Sequence, residues 1–237
     1  MNIALILAGG ADPKFQMSVP KQFVNVFNRP IIVYTLQAFQ EHEEIDEIVV
    51  TCLDGWQEIV RVYAKQFNIT KLKWIVEGGA SGQASVRNGL ERLWKEKEKD
   101  DIIILHDAIR PMVSKDIISK SINVCKEHGM GVAAVHSHDT IMFTKDGKIG
   151  NKDIARREIV RVQTPQAFRL EKLWNISNEA VEKGIINEWE MSSIVAKLGH
   201  RVHFSEGSDL NMKIGNLEDV EMFKALYNMR KNQINEN

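Results

Sequence analysis

A few short blocks of this chain carry residue types suited to phosphate chemistry rather than to a core. The first is Ala8-Gly9-Gly10, followed by Lys14 and then by Pro20-Lys21-Gln22-Phe23. Glycines after a buried strand let the backbone turn sharply and aim N–H groups at an anion. Lys14 and Lys21 flank that turn with positive charge, which suits a triphosphate. The spacing is neither the P-loop pattern GxxxxGKS/T nor the dinucleotide pattern GxGxxG. Taken alone, Gly9-Gly10 reads equally well as a tight turn with solvated lysines nearby.

The second block runs from Gly78-Gly79-Ala80-Ser81-Gly82 into Ser85-Val86-Arg87-Asn88-Gly89-Leu90. A glycine-rich stretch ahead of a helix offers backbone donors and acceptors for the edge of a base, and Ser85 adds a hydroxyl. An ordinary loop with a helix start is the competing reading. The third block is His106-Asp107-Ala108-Ile109-Arg110-Pro111, directly after the apolar run Ile102 to Leu105. An aspartate at the end of a central strand can hold a divalent cation against phosphate oxygens. Arg110 can fork onto a phosphate, or instead pair with its neighbouring aspartate. The fourth holds Arg156, Arg157 and Arg161, the densest basic cluster, followed by Thr164-Pro165-Gln166-Ala167-Phe168. The fifth is Asn211-Met212-Lys213-Ile214. Nothing in residue type or spacing alone singles out Lys213.

The elements that must position these blocks alternate. Strands are expected at Ile3 to Leu7, Glu47 to Leu53, Lys73 to Val76, Ile102 to Leu105 and Val132 to Val135. Helical patterns cover Ile31 to Glu41, Gly55 to Gln66, Gln83 to Lys97, Leu170 to Lys183, Glu188 to Leu198 and Leu217 to Met229. This order predicts an α/β fold with a doubly wound, mainly parallel sheet, in which the glycine loop and Asp107 lie near the C-terminal edge. Asp146-Gly147 is a hairpin signal inside Thr140 to Ile149, so a β-arm over about 138–160 should project from a single domain spanning 1–229, with a flexible tail over 230–237.

Lys and Arg total 31 against 32 Asp and Glu, a net charge of -1, which argues against a nucleic-acid partner. An anionic ligand must therefore meet a local cluster of cations. The two cysteines, Cys52 and Cys125, sit in apolar runs without CxxC spacing and read as core thiols in a reducing compartment. The opening apolar run is too short for a signal peptide and ends in a glycine turn. No segment is long enough to span a membrane, and a cytoplasmic location is the expectation. A nicotinamide oxidoreductase on a similar sheet is disfavoured by the missing GxGxxG and the lack of a ribose-binding acid after the second strand.

Together, PKQF, GG…SVRNGL, HDAIRP, DTI, QTPQAF and NMKI resemble, in order and from Ile3 to about Phe223, the IspD/TarI-type cytidylyltransferases. That group includes methylerythritol-phosphate and ribitol-phosphate cytidylyltransferases. The resemblance implies transfer of CMP from CTP to a small polyol phosphate, either 2-C-methyl-D-erythritol 4-phosphate or ribitol 5-phosphate, with Mg2+ as cofactor and a homodimer joined through the arm. It implies a triphosphate loop of Ala8, Gly9, Gly10 and Lys21, with Lys14 as a further cation. Gly79 and Ser85 would contact cytosine, Asp107 would hold the metal, and Arg110, Thr140 and Arg156 would contact the polyol phosphate, some across the dimer. Lys213 would stand at the reacting phosphates. Departures from the family pattern are Asp12 for a glycine, Lys14 for an arginine, Gly82 for an arginine, and Trp189-Glu190 for a Thr-Asp pair. They leave a second reading, a CTP-binding homologue with impaired catalysis.

Overall fold

The computed structural model describes residues 1–10, 19–188 and 190–235, with backbone only for 232–235. Lys14, Asp12 and Trp189 lie outside the described residues.

β1 (Asn2–Ala8) shows how the core is built. Ile3, Ala4, Leu5 and Ile6 have no exposed surface. Neighbouring side chains of a strand point to opposite faces, so Ile3 and Leu5 enter one apolar layer while Ala4, Ile6 and Ala8 enter the other. A short hairpin of β2 (Asn25–Val26) and β3 (Arg29–Pro30) leads into α1 (Ile31–Gln40). β4 (Glu47–Cys52), α2 (Gln57–Gln66), β5 (Leu72–Glu77), α3 (Gly82–Glu96) and β6 (Ile102–Asp107) continue the alternation. α4 (Lys115–His128) follows, started by the Ser114 side chain accepting from Ile117 N and stopped at Gly129 with φ 76°. β7 (Met130–His136), the arm strands β8 (Ile141–Thr144) and β9 (Gly150–Ile154), and β10 (Val160–Arg169) come next. α5 (Leu170–Glu182), α6 (Met191–Lys197), β11 (Phe204–Glu206) and α7 (Leu217–Asn235) complete the order.

The main sheet has the order β11-β7-β10-β6-β1-β4-β5. Every pairing in it is parallel except those β10 makes with β6 and β7. Residues of α1, α2 and α4 fill the layer on one face, and residues of α3, α5 and α6 fill the other. A third apolar cluster joins Val220 and Phe223 of α7 to Val24, Val26, Ile31 and Ile214. The chain winds outward from β1 to β5 on one side and resumes at β6 on the other. The order of strands therefore reverses between β1 and β6, which opens a crevice at their C-terminal ends. Among the described residues no helix is long and apolar enough to cross a membrane.

Several elements depart from the sequence-based expectation. The β2–β3 hairpin, α4, β10 and β11 were not foreseen, and α7 runs past Met229 to Asn235. β10 is a central strand that contains Pro165 and a register shift between Val162 and Gln166. Its buried Gln163, Thr164 and Gln166 give it a polar sequence. The β8–β9 hairpin lies within the expected arm, closed around Asp146, whose carboxylate accepts from Lys148 N at 2.9 Å and Ile149 N at 3.0 Å.

Candidate active site

At the crevice between β1 and β6 lies a cleft of about 390 Å³. Ala8, Gly9, Gly10 and Lys21 form one wall, Gly79 to Gly82 and Ser85 a second, and Asp107, Ile109 and Lys213 a third. The three blocks are brought together by strand register. Leu7 pairs with Asp107 and Ala8 with Cys52, so the chain leaves β1, β4 and β6 at one level.

The glycines are required by how closely the loops pack. A Cβ on Gly9 would sit 2.7 Å from Ser85 Oγ, and one on Gly78 would sit 2.9 Å from Gly9 Cα. Gln22, buried beside them, donates from Nε2 to Ala8 O at 2.9 Å and Gly10 O at 3.1 Å, so it sets the shape of the first loop. Phe23 stacks on Trp56 with ring centroids 4.4 Å apart. Ser85 is 4% exposed. Its hydroxyl accepts from Gly79 N at 3.0 Å and donates to Ser81 O at 3.0 Å, so its proton already serves the glycine loop.

Asp107 is the electrostatic centre. Its Oδ2 meets Lys213 Nζ at 3.0 Å and Arg110 Nε at 3.0 Å, and its backbone N donates to Thr164 Oγ1 at 3.1 Å. Burial works against the charged form, but Lys213 and Arg110 outweigh it and hold the carboxyl below its ordinary range. Lys213 also lies 3.8 Å from Glu190 Oε1. Glu190 Oε2 accepts from Gln166 Nε2 at 2.9 Å. Burial first, and then repulsion from Asp107, push the Glu190 carboxyl up to about 7. Next to Asp107, His106 has no exposed surface and donates from Nε2 to Arg110 O at 3.2 Å. Burial drives its pKa down to about 4, so the ring is neutral.

Lys213 is delivered by a pinned loop. Asn211, fully buried, donates from Nδ2 to Thr164 O at 2.8 Å, and Ile214 N donates to Ile109 O at 2.9 Å. Arg110 completes the clamp from Nη1 to Asn211 O at 2.8 Å.

Eight of the sequence-selected residues therefore share one cleft: Ala8, Gly9, Gly10, Lys21, Gly79, Ser85, Asp107 and Lys213. Three others do not line it. Arg110, 7% exposed, stands behind Asp107 with its guanidinium committed to Asp107 and Asn211. Thr140 and Arg156 belong to the exposed arm, where Arg156 Nη1 donates to His138 O at 2.8 Å. No role follows from the sequence for Gln22, Gln166, Glu190 or Asn211, although Gln22, Gln166 and Asn211 sit inside the blocks singled out there and Glu190 is one of the departures from the family pattern. Their part is visible only through partners distant in the chain: backbone carbonyls for Gln22 and Asn211, and each other's side chains for Gln166 and Glu190.

Comparisons with known proteins agree with this fold. A crystal structure of 4-diphosphocytidyl-2C-methyl-D-erythritol synthase from Anaerococcus prevotii superposes with a TM-score of 0.82 at 22% identity over 96% of both chains, a likeness of fold. The 2-C-methyl-D-erythritol 4-phosphate cytidylyltransferase of Francisella tularensis gives a TM-score of 0.78 at 27% identity, over 94% of this chain and 98% of that one. By sequence, the chain is 37% identical to ribitol-5-phosphate cytidylyltransferase of Lacticaseibacillus paracasei over 95% of this chain and 97% of the relative. It is 33% identical to 2-C-methyl-D-erythritol 4-phosphate cytidylyltransferase of Clostridium novyi over 95% and 96%. Sheet, cleft and relatives together define a nucleotidyltransferase. More particularly, the chain belongs to the IspD family, described as 2-C-methyl-D-erythritol 4-phosphate cytidylyltransferase, whose model matches residues 2–229.

Proposed function

We propose that this chain transfers CMP from CTP to ribitol 5-phosphate and releases pyrophosphate. The observation that carries the chemistry is the cleft, where a glycine loop and Lys21 face Asp107 and Lys213. The choice of acceptor follows the relatives. Those named for ribitol 5-phosphate reach 37% identity and those named for the methylerythritol phosphate reach 33%. The family description favours the second acceptor, 2-C-methyl-D-erythritol 4-phosphate.

A phosphate monoester is largely dianionic near neutral pH, since its second pKa is about 6. It needs no strong general base, so the protein's work is alignment and charge neutralisation. An acceptor phosphate oxygen attacks the α-phosphorus of CTP, the bond from that phosphorus to the β-bridging oxygen breaks, and pyrophosphate leaves with the electron pair. Lys213 and Lys21 neutralise charge that builds on the α-phosphate and on the leaving group. The N–H groups around Gly9 and Gly10 hold the departing phosphates. Gly79 and the loop shaped by Ser85 border the base. Arg110 keeps Asp107 and the Lys213 loop in place rather than touching substrate.

Mg2+ fits this site in a limited way. Among the described residues no cluster of three or more His, Cys, Asp or Glu could cage a metal. Mg2+ is commonly held by one or two carboxylates with substrate phosphates supplying the rest. Asp107 answers that need, because both of its cation contacts fall on Oδ2. When bound with the triphosphate, the ion would screen phosphate charge.

A homodimer fits the arm, which exposes Met142, Phe143 and Ile149. A second copy seated there would bring Thr140 and Arg156 toward the acceptor half of its neighbour's cleft.

Pyrophosphate release with CTP and Mg2+, offered ribitol 5-phosphate and the methylerythritol phosphate in parallel, tests the reading. Turnover with ribitol 5-phosphate at the higher kcat/KM supports it. Preference for the methylerythritol phosphate moves the chain to the second acceptor. CTP binding without pyrophosphate release would leave a nucleotide-binding homologue.

A further inference from the structure

The cleft has a fourth wall that none of the blocks above supplies. Asn187 and Glu188, from the segment between α5 and α6, line it together with the glycine loop. Residues 185–188 lie in no helix or strand, so their backbone groups must find partners elsewhere. One side chain provides two of them. Gln83, in the first turn of α3, donates from Nε2 to Ile185 O at 2.8 Å, and its Oε1 accepts from Glu188 N at 3.2 Å. A side-chain amide is one of the few groups that can give and take a hydrogen bond at the same time.

Ile185, Asn187 and Glu188 have further contacts or conformational preferences around that clasp. Ile185 packs onto the apolar layer shared with α3 and α5. Asn187 adopts a left-handed backbone with φ 62°, which Asn tolerates better than most residues. The Glu188 carboxylate pairs with Lys197 of α6. Gln83 stands between Gly82, which lines the cleft, and Ser85, which holds the Gly79 turn. One helical turn thus holds both sides of the nucleotide half of the cleft. On one side Ser81 and Ser85 fix the glycine loop, and on the other Gln83 fixes the Asn187–Glu188 wall.

From this geometry we infer that Gln83 is a positioning residue for nucleotide binding: it sets the distance between the glycine loop and the Asn187–Glu188 wall, and so the fit of the CTP nucleoside. The inference rests on the cytidylyltransferase reading, since it takes the occupant to be CTP. Gln83 is not among the residues that line the cleft, so its loss should fall on KM for CTP rather than on kcat or on KM for the acceptor.

The test is Gln83→Ala, with steady-state kinetics in CTP at saturating acceptor, calorimetric CTP binding, and hydrogen exchange at the Glu188 amide. Two net hydrogen bonds predict a rise of about tenfold in both KM and Kd for CTP. The acceptor KM should stay within about twofold, and Glu188 N–H should exchange faster. Gln83→Glu keeps the acceptor for Glu188 N and loses the donor to Ile185 O. It should fall between wild type and Ala, and it serves alone if the Ala variant does not fold. An unchanged CTP KM and Kd, or losses spread equally over CTP, acceptor and melting temperature, would overturn the inference. A wild type that neither binds CTP nor releases pyrophosphate would instead overturn the reading beneath it. Those failures are distinct, because the second appears before any variant is made.

Discussion

Lys213 reaches the cleft between two carboxylates, 3.0 Å from Asp107 and 3.8 Å from Glu190. If it neutralises the reacting phosphates, Lys213→Ala should lower kcat/KM by about 100-fold or more, with little change in melting temperature. Arg110 should behave in the opposite way. Removing it leaves Asp107 and Asn211 O without their buried partner, so Arg110→Ala should cost about 3 kcal/mol in urea unfolding. A small stability loss with a large rise in acceptor KM would return Arg110 to the substrate-binding set. Glu190 gives a pH signature. Its pKa is raised from 4.5 to about 7 in the folded protein, so the folded state holds the proton more tightly than the unfolded chain. Stability from that proton is present below 4.5 and is lost as pH rises through about 7. Glu190→Gln, which does not titrate, should therefore melt increasingly above wild type from pH 5 to pH 8. A constant difference across that window would contradict the assignment.

The elements explain what could be read in the sequence. β1, β4 and β6 are apolar on both faces, and such runs followed by loops with Gly or Asp are a strong signal. Hence the glycine loop, Asp107 and the doubly wound order were legible. β10 was not, because its centre reads Gln163-Thr164-Pro165-Gln166, and proline is rare in a central strand. Its polar side chains are instead linkers: Thr164 meets Asp107 N and Gln166 meets Glu190. α4 does carry helical spacing in Ile117, Ile118, Ser121, Ile122 and Cys125, with a serine cap and a glycine stop. It follows HDAIRP, where the residue types point to phosphate chemistry rather than to a helix. Arg110 shows the limit on side-chain roles, since an exposed fork and a buried clamp have the same sequence. At the loops the packing makes a direct prediction. Gly78→Ala would press a methyl group to 2.9 Å from Gly9 Cα. The variant should lose about 1–3 kcal/mol of stability and bind CTP more weakly, as thermal melts with and without nucleotide would show.

At the scale of the whole molecule the arm stands apart from the sheet. Met142 and Phe143 are each 48% exposed and Ile149 is 75% exposed, an unusual amount of apolar surface for one hairpin. With a second copy covering it, Met142→Glu combined with Phe143→Glu should convert a dimer to a monomer in sedimentation velocity. Turnover should fall with it, because Thr140 and Arg156 would no longer reach a neighbouring cleft. A variant that stays dimeric would place the interface elsewhere.

The pinning of Lys213 also bears on the order in which a ribosome makes this chain. Both glycine loops and Asp107 come early in it, whereas the Lys213 loop is locked by Asn211 on Thr164, by Ile214 on Ile109 and by the docking of Val220 and Phe223. A nascent chain can thus form its nucleotide loops long before the lysine has emerged. On the proposed reading, release of pyrophosphate should wait until α7 has docked, and a variant cut before Leu217 should release none.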